Sequence, residues 1–497
     1  MIGVDIGTSS TKVIAYSDKG KVIAIARRSY PLYQPDAGCA EQDPDTLFLA
    51  VTESITEVCD QLKGNAKIEG FSFSSAMHGF LALDKENKPL TQVITWADTR
   101  SSAEAEKLKK HPGAKKLYER TGVPMHPMTP LTKICWLNHN RPDLAAKTAI
   151  YSGIKEYIFF RLMGEHVIDH SLASATGMFD IHSLEWYKPA LEMAGITENQ
   201  LPIIVSTTHA LYNLDPVWRE QWALPENIPF YIGASDGCLA NLGTGAVETG
   251  DLAVTVGTSG AVRMAASKAM PDTLSRTFNY VLTPSLYIAG GPVNNGGIIL
   301  KWFTENFLNR SFNGAADFDA FLEEAAKAPP GSAGLICLPY FMGERAPVWN
   351  ANLKGIFYGI QLHHHREHMM RSIVEGISFS LLQIAEILTE SQGPYTRIFA
   401  SGGFVHSTAW MQWLADIFNC PVNITQTEDA SAIGAAMLGW MALGRIRNTD
   451  DIKQWIEIQQ TYYPDPAVHQ LYRESFAQYK FLSGREATKN APEDFTA

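Results

Sequence analysis

Residues 3–12, GVDIGTSSTK, form a short apolar strand pattern that runs into a turn of glycine and small hydroxyl residues. A second stretch of the same kind, VTVGTSGAV, stands at residues 254–262. Such turns let backbone N–H groups approach an anion without a Cβ atom in the way. Either turn alone is more often a tight hairpin. Two of them, one in each half of the chain, favour two domains that contact one polyphosphate.

Only the first of these turns follows an acidic residue, Asp5. An acid at the end of an apolar strand beside a phosphate turn is better explained by bound Mg²⁺ than by packing. Lys12, at the end of the motif, either pairs with phosphate or lies exposed on a strand. The sequence contains no GxxxxGK[ST] motif, which excludes a P-loop. If the chain binds a nucleotide, it must do so in a cleft between two domains.

The length and composition are those of a folded protein with two large domains. A chain of 497 residues is too long for one ordinary core. The formal net charge of −11 argues against a general nucleic-acid binder. Six cysteines without metal-ligand spacing favour reduced thiols, and the longest apolar stretch, residues 432–443, is too short for a membrane span. We therefore expect a cytoplasmic protein with neither nucleic-acid nor membrane partners; the oligomeric state stays open, a homodimer included.

The patterns of strands and helices predict an α/β fold in two halves. Residues 1–29 are typical of a strand meander with a hairpin turn at 18–20, and residues 43–62 of a helix with an aspartate cap. The strand-turn-strand pattern then restarts in the second half. We place the join near residues 243–251, which predicts domains at 1–243 and 244–497.

Two further segments resemble the signatures of the FGGY family of carbohydrate kinases. Residues 355–375, GIFYGIQLHHHREHMMRSIVE, match its C-terminal signature, and residues 128–137, MTPLTKICWL, are similar to its N-terminal signature around Lys133 and Trp136. The two turns, with SGGFVHS at 401–407, look like the phosphate and adenosine motifs of the superfamily of sugar kinases, Hsp70 and actin. The resemblance implies two actin-like (ribonuclease H-like) ATPase domains facing a central cleft, with the sugar deep inside it.

The resemblance also assigns roles in catalysis and nucleotide binding. Asp236 stands where the family has its catalytic base, although an aspartate between a strand and a helix is also a common helix cap. Asp5 is then the partner of Mg²⁺, through water. The positions that correspond to ATP contacts are Ser9, Lys12, Gly257, Thr258, Gly297, Lys301, Gly403 and Ser407. Relatives often carry Gln in place of Lys301 and Asn in place of Ser407.

The implied sugar site is formed by loops that follow strands in the first half. Its residues are Met77, His78, Trp96, Asp98, Met128 and Asp236. A lone histidine or tryptophan is more often a core or surface residue, but His78 matches the family's substrate loop and Trp96 an aromatic that packs on the sugar carbons. Met128 replaces a sugar-facing tyrosine of glycerol kinases, which disfavours glycerol and leaves room for a longer substrate.

Segments such as SSAMHG (74–79), GGPVNNGG (290–297) and GERAPVWN (343–350) look most like those of family members that phosphorylate gluconate. The implied reaction is ATP-dependent transfer to the terminal hydroxyl of D-gluconate, giving 6-phospho-D-gluconate. Xylulokinase, or another polyol or ketopentose kinase, is the alternative, because MHG also occurs there. Two further alternatives come from other classes of protein. An Hsp70-like ATPase should carry a β-rich peptide-binding module, and a catalytically dead sugar sensor would not need Asp236. The gluconate carboxylate requires a local cation or donor, for which His78 is the first candidate and Lys155 the second.

Overall fold

The computed structural model describes residues 1–426 and 429–489, and these fold into two compact units. Unit 1 contains Met1–Gly245, Ala266–Ile288 and the described part of Thr427–Ile456. Unit 2 contains Ala246–Ala265, Ala289–Gln426 and the described residues from Glu457 on. The second half of the chain thus adds two segments to unit 1. The domain limits 1–243 and 244–497 stay a prediction, since the compact units are discontinuous in sequence.

The elements of unit 1 begin with a strand meander and continue through many short helices. Its strands are β1 (Ile2–Ile6), β2 (Ser10–Tyr16), β3 (Val22–Ser29), β4 (Glu41–Gln42), β5 (Phe71–Ser75), β6 (Leu81–Leu83), β7 (Val93–Ile94), β8 (Ile150–Ser152), β9 (Val167–Asp169), β10 (Phe179–Asp180), β11 (Glu185–Trp186), β12 (Ile203–Val205), β13 (Ala210–Leu211), β14 (Phe230–Ser235) and β17 (Phe278–Thr283). Its helices are α1 (Pro44–Leu62), α2 (Ser102–Lys109), α3 (Ala114–Thr121), α4 (Pro130–Asn140), α5 (Pro142–Ala145), α6 (Ile154–Met163), α7 (His170–Ser174), α8 (Lys188–Ala194), α9 (Pro216–Gln221), α10 (Asp236–Thr244), α15 (Ala430–Ala442) and α16 (Thr449–Trp455).

The central sheet of unit 1 has the strand order β13-β14-β5-β1-β2-β3. Strands β1, β2 and β3 form the predicted antiparallel meander, whereas β5 runs parallel to β1 and β14 parallel to β5. Helix α1 starts as predicted, because the Asp43 side chain accepts the Thr46 N–H at 2.7 Å. Since β1, β5 and β14 are parallel, their carboxyl ends meet at one edge of the sheet, where Asp5 and Asp236 stand.

Unit 2 repeats this topology. Its strands are β15 (Asp251–Val256), β16 (Gly260–Ala266), β18 (Leu286–Val293), β19 (Ile336–Leu338), β20 (Ile356–Tyr358), β21 (Arg397–Ser401), β22 (Val422–Thr425) and β23 (Ile458–Tyr462). Its helices are α11 (Ile298–Phe307), α12 (Ala315–Ala325), α13 (Arg366–Gln392), α14 (Thr408–Phe418) and α17 (Pro466–Lys489). The order β18-β16-β15-β21-β22 matches β3-β2-β1-β5-β14 of unit 1, with β15 antiparallel to β16 and parallel to β21. The predicted α/β class is therefore confirmed.

Helix α13 is the one described helix long and apolar enough to cross a membrane. Of its most apolar window, 83% is buried inside the fold. Its buried positions include Arg371 and Glu375, whose side chains form an ion pair at 2.9 Å. This helix is therefore packed inside the fold, with its charged pair in the interior.

Candidate active site

The first glycine turn, between β1 and β2, is closed by hydrogen bonds that direct its carbonyl groups into the protein. The Gly7 N–H donates to Ser10 O at 3.1 Å, and the Tyr30 hydroxyl donates to Gly7 O at 2.6 Å. The Gln42 amide donates to Thr8 O at 2.7 Å. Ser9 lies exposed at the tip. These bonds fix the turn through its carbonyl groups, and its tip at Ser9 stays accessible, as a phosphate site requires.

An acidic cluster lies beside this turn in unit 1. Asp5 is buried at the end of β1 and accepts the Ser74 hydroxyl at 2.6 Å. Lys12, its neighbour across the β1–β2 pair, forms an ion pair with Asp429. Burial raises the pKa of Asp5 far above its usual range, and the nearby charges of Asp429 and Asp236 raise it further, against the hydrogen bond from Ser74 and the charge of Lys12. The cluster therefore has an excess of negative charge.

This excess fits a divalent cation. A bound cation would neutralise the carboxylates that now raise the pKa of Asp5. No group of three or more histidine, cysteine, aspartate or glutamate side chains at metal-binding geometry occurs among the described residues. A metal with few protein ligands and several waters is the mode typical of Mg²⁺ beside phosphates. Asp5 would hold it, as the sequence predicts.

Asp236 is the first residue of α10, directly after β14. Its carboxylate accepts the Gly237 N–H at 2.6 Å, and Ser235, the residue before it, makes no side-chain cap. The capping interpretation thus holds in part, because Asp236 bonds to the first turn of the helix. A carboxylate at a helix N-terminus is stabilised as an anion. In that state it can accept a proton.

His78 is buried, and it lies in the loop after β5 with a left-handed backbone, at φ 65°. Its Nδ1 is 2.8 Å from Ala175 O, and its Nε2 is 3.1 Å from the Tyr280 hydroxyl. Because a carbonyl only accepts, Nδ1 carries a proton, and Nε2 and the Tyr280 hydroxyl share the second hydrogen bond. Both ring nitrogens therefore already have protein partners. The contact between His78 and substrate stays a prediction.

The other predicted sugar residues surround this loop in unit 1. The Trp96 indole N–H donates to Thr8 Oγ1 at 3.0 Å, which ties the loop after β7 to the first glycine turn. Asp98 is buried and accepts the Ala40 N–H at 2.8 Å and the Arg100 guanidinium at 2.9 Å. Met77 packs partly against the neighbouring core, and Met128 is buried just before α4. Their sugar contacts also stay predictions.

Lys155, the second candidate for the carboxylate, is fully buried in α6. Its ammonium lies 2.6 Å from Asp169 and 3.4 Å from Ala234 O on β14. Ser171 follows Asp169 and hydrogen bonds to Ser235 through their hydroxyls at 2.7 Å. These contacts hold the strand end that carries Asp236, so the side chain of Lys155 supports the site from within unit 1.

In unit 2 the second glycine turn joins β15 to β16. The Gly257 N–H donates to Ser259 O at 2.8 Å, while Gly297 and Gly296 donate to Gly257 O and Thr258 O at 2.8 and 3.1 Å. A Cβ atom at Gly296 would lie 2.7 Å from Ser259 O, so this approach requires glycine. Among the described atoms none lies within 4 Å of a Cβ built on Gly257. A ligand can therefore approach its backbone.

A cavity of about 430 Å³ opens beside this second turn. Five of the predicted nucleotide residues line it: Gly257, Thr258, Gly297, Lys301 and Gly403. Aromatic rings form much of its wall, with Phe318 and Trp410 stacked at 5.8 Å between centroids. A cavity with aromatic walls beside a glycine turn fits a flat heterocycle with an anionic tail. Ser407 is not part of the lining; its hydroxyl caps α14 by accepting the Trp410 N–H at 3.2 Å.

Sequence reasoning missed Asp429 and Tyr280. The signal for Asp429 was present, because an aspartate before the run of small residues at 430–436 is a typical helix cap, and the structure shows it capping α15 through the Ala432 N–H. Nothing in the sequence indicated that α15 packs on β1. Tyr280 lies on β17, a strand with no motif of its own.

Comparisons with known proteins agree with this geometry. The N-terminal domain of the FGGY family of carbohydrate kinases matches residues 1–243, and its C-terminal domain matches residues 252–443. The gluconokinase of Bacillus subtilis is 43% identical over 462 residues, 92% of this chain and 90% of its own length. The xylulose kinase of the same organism is 30% identical, over 97% of this chain and 96% of its own length.

Two solved structures from Lactobacillus acidophilus are also similar. A gluconate kinase has a TM-score of 0.93 and 35% identity, over 98% of each chain. A ligand-bound xylulose kinase has the same TM-score and identity, over 99% of this chain and 98% of that one. These matches cover both units and confirm the two actin-like ATPase domains that the resemblance implies. The chain belongs to the FGGY family of carbohydrate kinases.

Proposed function

We propose that this protein is an ATP-dependent gluconokinase, which transfers the γ-phosphate of ATP to the terminal hydroxyl of D-gluconate. The observation that supports gluconate as acceptor is the greater identity to gluconokinases than to xylulose kinases over nearly the same length. The geometry of unit 1 supports the chemistry, since it brings Asp5 and Asp236 to the carboxyl edge of one sheet beside a glycine turn.

In the proposed reaction the terminal hydroxyl oxygen attacks the γ-phosphorus, and the bond from phosphorus to the ADP oxygen breaks. The hydroxyl proton passes to the Asp236 carboxylate, and the products are 6-phospho-D-gluconate and ADP. Since phosphoryl transfer depends mostly on positioning and charge neutralisation, a carboxylate of ordinary basicity is sufficient. Mg²⁺, when held by Asp5 through water, would neutralise charge on the phosphates.

The residues of the turns perform the binding. In unit 1 we assign Ser9 and Lys12 to the phosphates, with Asp429 orienting the Lys12 ammonium through their ion pair. In unit 2 we assign the turn at 257–258 to the phosphates and the aromatic-walled cavity to adenosine. Lys301 lies on the rim of this cavity, where it is half exposed and 3.7 Å from Glu305. We assign no nucleotide contact to the Ser407 hydroxyl beyond the prediction from sequence.

A xylulokinase is the second candidate, because the two Lactobacillus acidophilus structures match this chain equally well.

We also propose a cytoplasmic location: all six cysteines are free thiols, as expected in a reducing compartment.

The test is the release of ADP with gluconate, xylulose, ribulose and glycerol as acceptors. Gluconate is an anion and the protein carries a net charge of −11, so selectivity must come from donors inside the site. Loss of a carboxylate partner in a desolvated site costs about 1.5–3 kcal/mol. We expect kcat/KM for gluconate to exceed that for xylulose by about tenfold to a hundredfold. Equal turnover of xylulose would assign the protein to the ketopentose kinases.

A further inference from the structure

The Lys133 side chain is buried on α4, one of the largest fully buried side chains of the chain. Its ammonium donates to three backbone carbonyl groups: His78 O at 2.6 Å, Thr95 O at 2.8 Å and Ile94 O at 3.2 Å. No carboxylate forms an ion pair with it among the described residues. An ammonium group has three N–H bonds, so three carbonyl acceptors satisfy it completely.

These carbonyl groups belong to two separate segments. His78 lies in the loop after β5; Ile94 ends β7 and Thr95 follows it, directly before Trp96. Lys133 itself follows Met128 by five positions, at the start of α4. The ammonium therefore joins three of the segments that carry predicted sugar residues: the loop with Met77 and His78, the loop with Trp96 and Asp98, and the start of α4 after Met128. Ile94 O also accepts the Phe80 N–H at 3.1 Å and Thr95 O the Asp98 N–H at 3.2 Å, so the lysine adds a second donor to each of these two carbonyl groups. At His78 O it donates the shortest of its three bonds.

The backbone of the first loop is strained where the lysine binds it. His78 has φ 65°, a left-handed conformation that residues other than glycine seldom adopt. Such a conformation persists only when its surroundings hold it. The bond from Lys133 to the carbonyl of His78 itself, together with the ring contacts to Ala175 and Tyr280, does so.

We propose that Lys133 is a positioning residue, which fixes the two sugar-binding loops relative to each other through its three carbonyl bonds. The proposal rests on the proposed function in so far as these loops bind the acceptor. It does not depend on which acceptor is correct. A lysine that served only general stability would affect the acceptor and the nucleotide alike, whereas this one should act on the acceptor alone.

The first measurement uses three variants. Lys133→Met keeps the length of the side chain and removes the donors. Lys133→Arg keeps the charge, but its planar fork cannot direct three N–H bonds from one atom. His139→Ala, an exposed residue of the same helix, is the control. We expect both Lys133 variants to raise KM for gluconate by about tenfold to a hundredfold, with KM for ATP within about twofold of wild type. His139→Ala should leave both constants unchanged.

The second measurement is the pH dependence of the wild-type enzyme, which needs no variant to fold. Three donors require the protonated amine, because a neutral amine has two N–H bonds. Burial lowers the pKa of Lys133 to about 7, with Asp98 raising it and Arg100 lowering it. KM for gluconate should therefore rise between pH 6.5 and 9, while KM for ATP should not rise.

The outcomes separate the two proposals. If the wild type prefers xylulose, the gluconate assignment fails, and the same measurements with xylulose still test Lys133. The positioning role is overturned if a folded Lys133→Met variant keeps the wild-type KM for the best acceptor, or if the KM values for acceptor and ATP rise together. If Lys133→Met does not fold, Lys133→Arg takes its place, and a folded Lys133→Arg variant with the wild-type KM for the best acceptor overturns the positioning role.

Discussion

The balance of charge around Asp5 supports the prediction of a site for phosphate and a cation in unit 1. Three carboxylates, of Asp5, Asp236 and Asp429, act on one another in unit 1, and the ammonium of Lys12 compensates only part of their charge. Without a ligand such an arrangement costs free energy, because like charges in a partly buried site repel. A bound cation would lower this free energy, because its positive charge offsets the repulsion between the carboxylates. The positions of these groups are those expected of a site that binds a metal with a polyphosphate.

Asp236 can be separated from the binding groups by experiment. In Asp236→Asn the shape and the bond from the Gly237 N–H are kept, but the proton acceptor is lost. We expect gluconate and ATP to bind with nearly unchanged affinity and kcat to fall by about 10²–10⁴-fold, the usual range for a positioned base. Isothermal titration and the ADP-release assay measure the two effects. The control is Asp60→Asn, an exposed position on α1; near-normal turnover by Asp236→Asn would remove Asp236 from catalysis.

Helices α10 and α15 pack against each other at unusually short distance, and glycines make this possible. A Cβ atom at Gly434 would lie 2.0 Å from Leu239 O, and one at Gly243 would lie 1.9 Å from Ala430 O. Helix α15 also packs on β1 and β5. The close approach therefore places Asp429, at the start of α15, beside the end of β1 that carries Asp5. One packing contact between helices thus sets the geometry of the acidic cluster.

Because of this close contact, replacing Gly434 by alanine should change the free energy of unfolding in the direction opposite to that usual for a helix. Gly→Ala inside a helix normally stabilises by up to about 1 kcal/mol. Gly434→Ala should instead destabilise unit 1 by about 1–3 kcal/mol, because the new methyl group overlaps a backbone carbonyl of α10. It should also lower kcat, since α10 begins at Asp236. Urea unfolding and the ADP-release assay measure these effects.

Gly484→Ala is the matched control for this packing argument. Gly484 lies in α17, and apart from its chain neighbours and the nearby backbone of its own helix no described atom is within 4 Å of its Cβ position. This variant should be neutral or stabilise by up to about 1 kcal/mol. If Gly434→Ala is as stable as Gly484→Ala, the close contact between α10 and α15 is not a constraint.

The residues predicted to bind the two substrates are divided between the two units. All predicted acceptor residues, from Met77 to Asp236, lie in unit 1, while the aromatic-walled cavity and the second turn lie in unit 2. The path of the chain makes this division possible, because two segments of the second half return to complete unit 1. One of them carries Tyr280 and the other carries Asp429.

Hydrogen exchange with each ligand alone tests this division. Gluconate should slow exchange in the loops at 76–98 and around Lys133, all in unit 1. A non-hydrolysable ATP analogue with Mg²⁺ should slow exchange at 256–258, 297–319 and 403–410, which line the cavity of unit 2. Protection of the unit 2 segments by gluconate alone would contradict the assignment, as would an analogue that leaves these segments unprotected.

Local patterns in the sequence predicted a large part of this picture. The meander at 1–29, helix α1 with its Asp43 cap and the two glycine turns are all confirmed. Each depends on residues that are neighbours in sequence, such as an alternation of apolar side chains or a cap three positions before its partner. The duplicated strand-turn-strand pattern was sufficient for the α/β class, and the signature segments for the family. The roles of the individual site residues stay predictions.

Other features depend on contacts between distant parts of the chain. Lys12 and Asp429 are 417 residues apart, and no pattern around either residue indicates the other. The three carbonyl partners of Lys133 are likewise invisible in sequence, because any residue type offers a backbone carbonyl. Periodicity and turn chemistry act over a few residues and therefore specify elements. Which ends of those elements meet is decided by how the helices and sheets pack, and that packing places Asp429 beside Asp5 and joins the predicted sugar loops at Lys133.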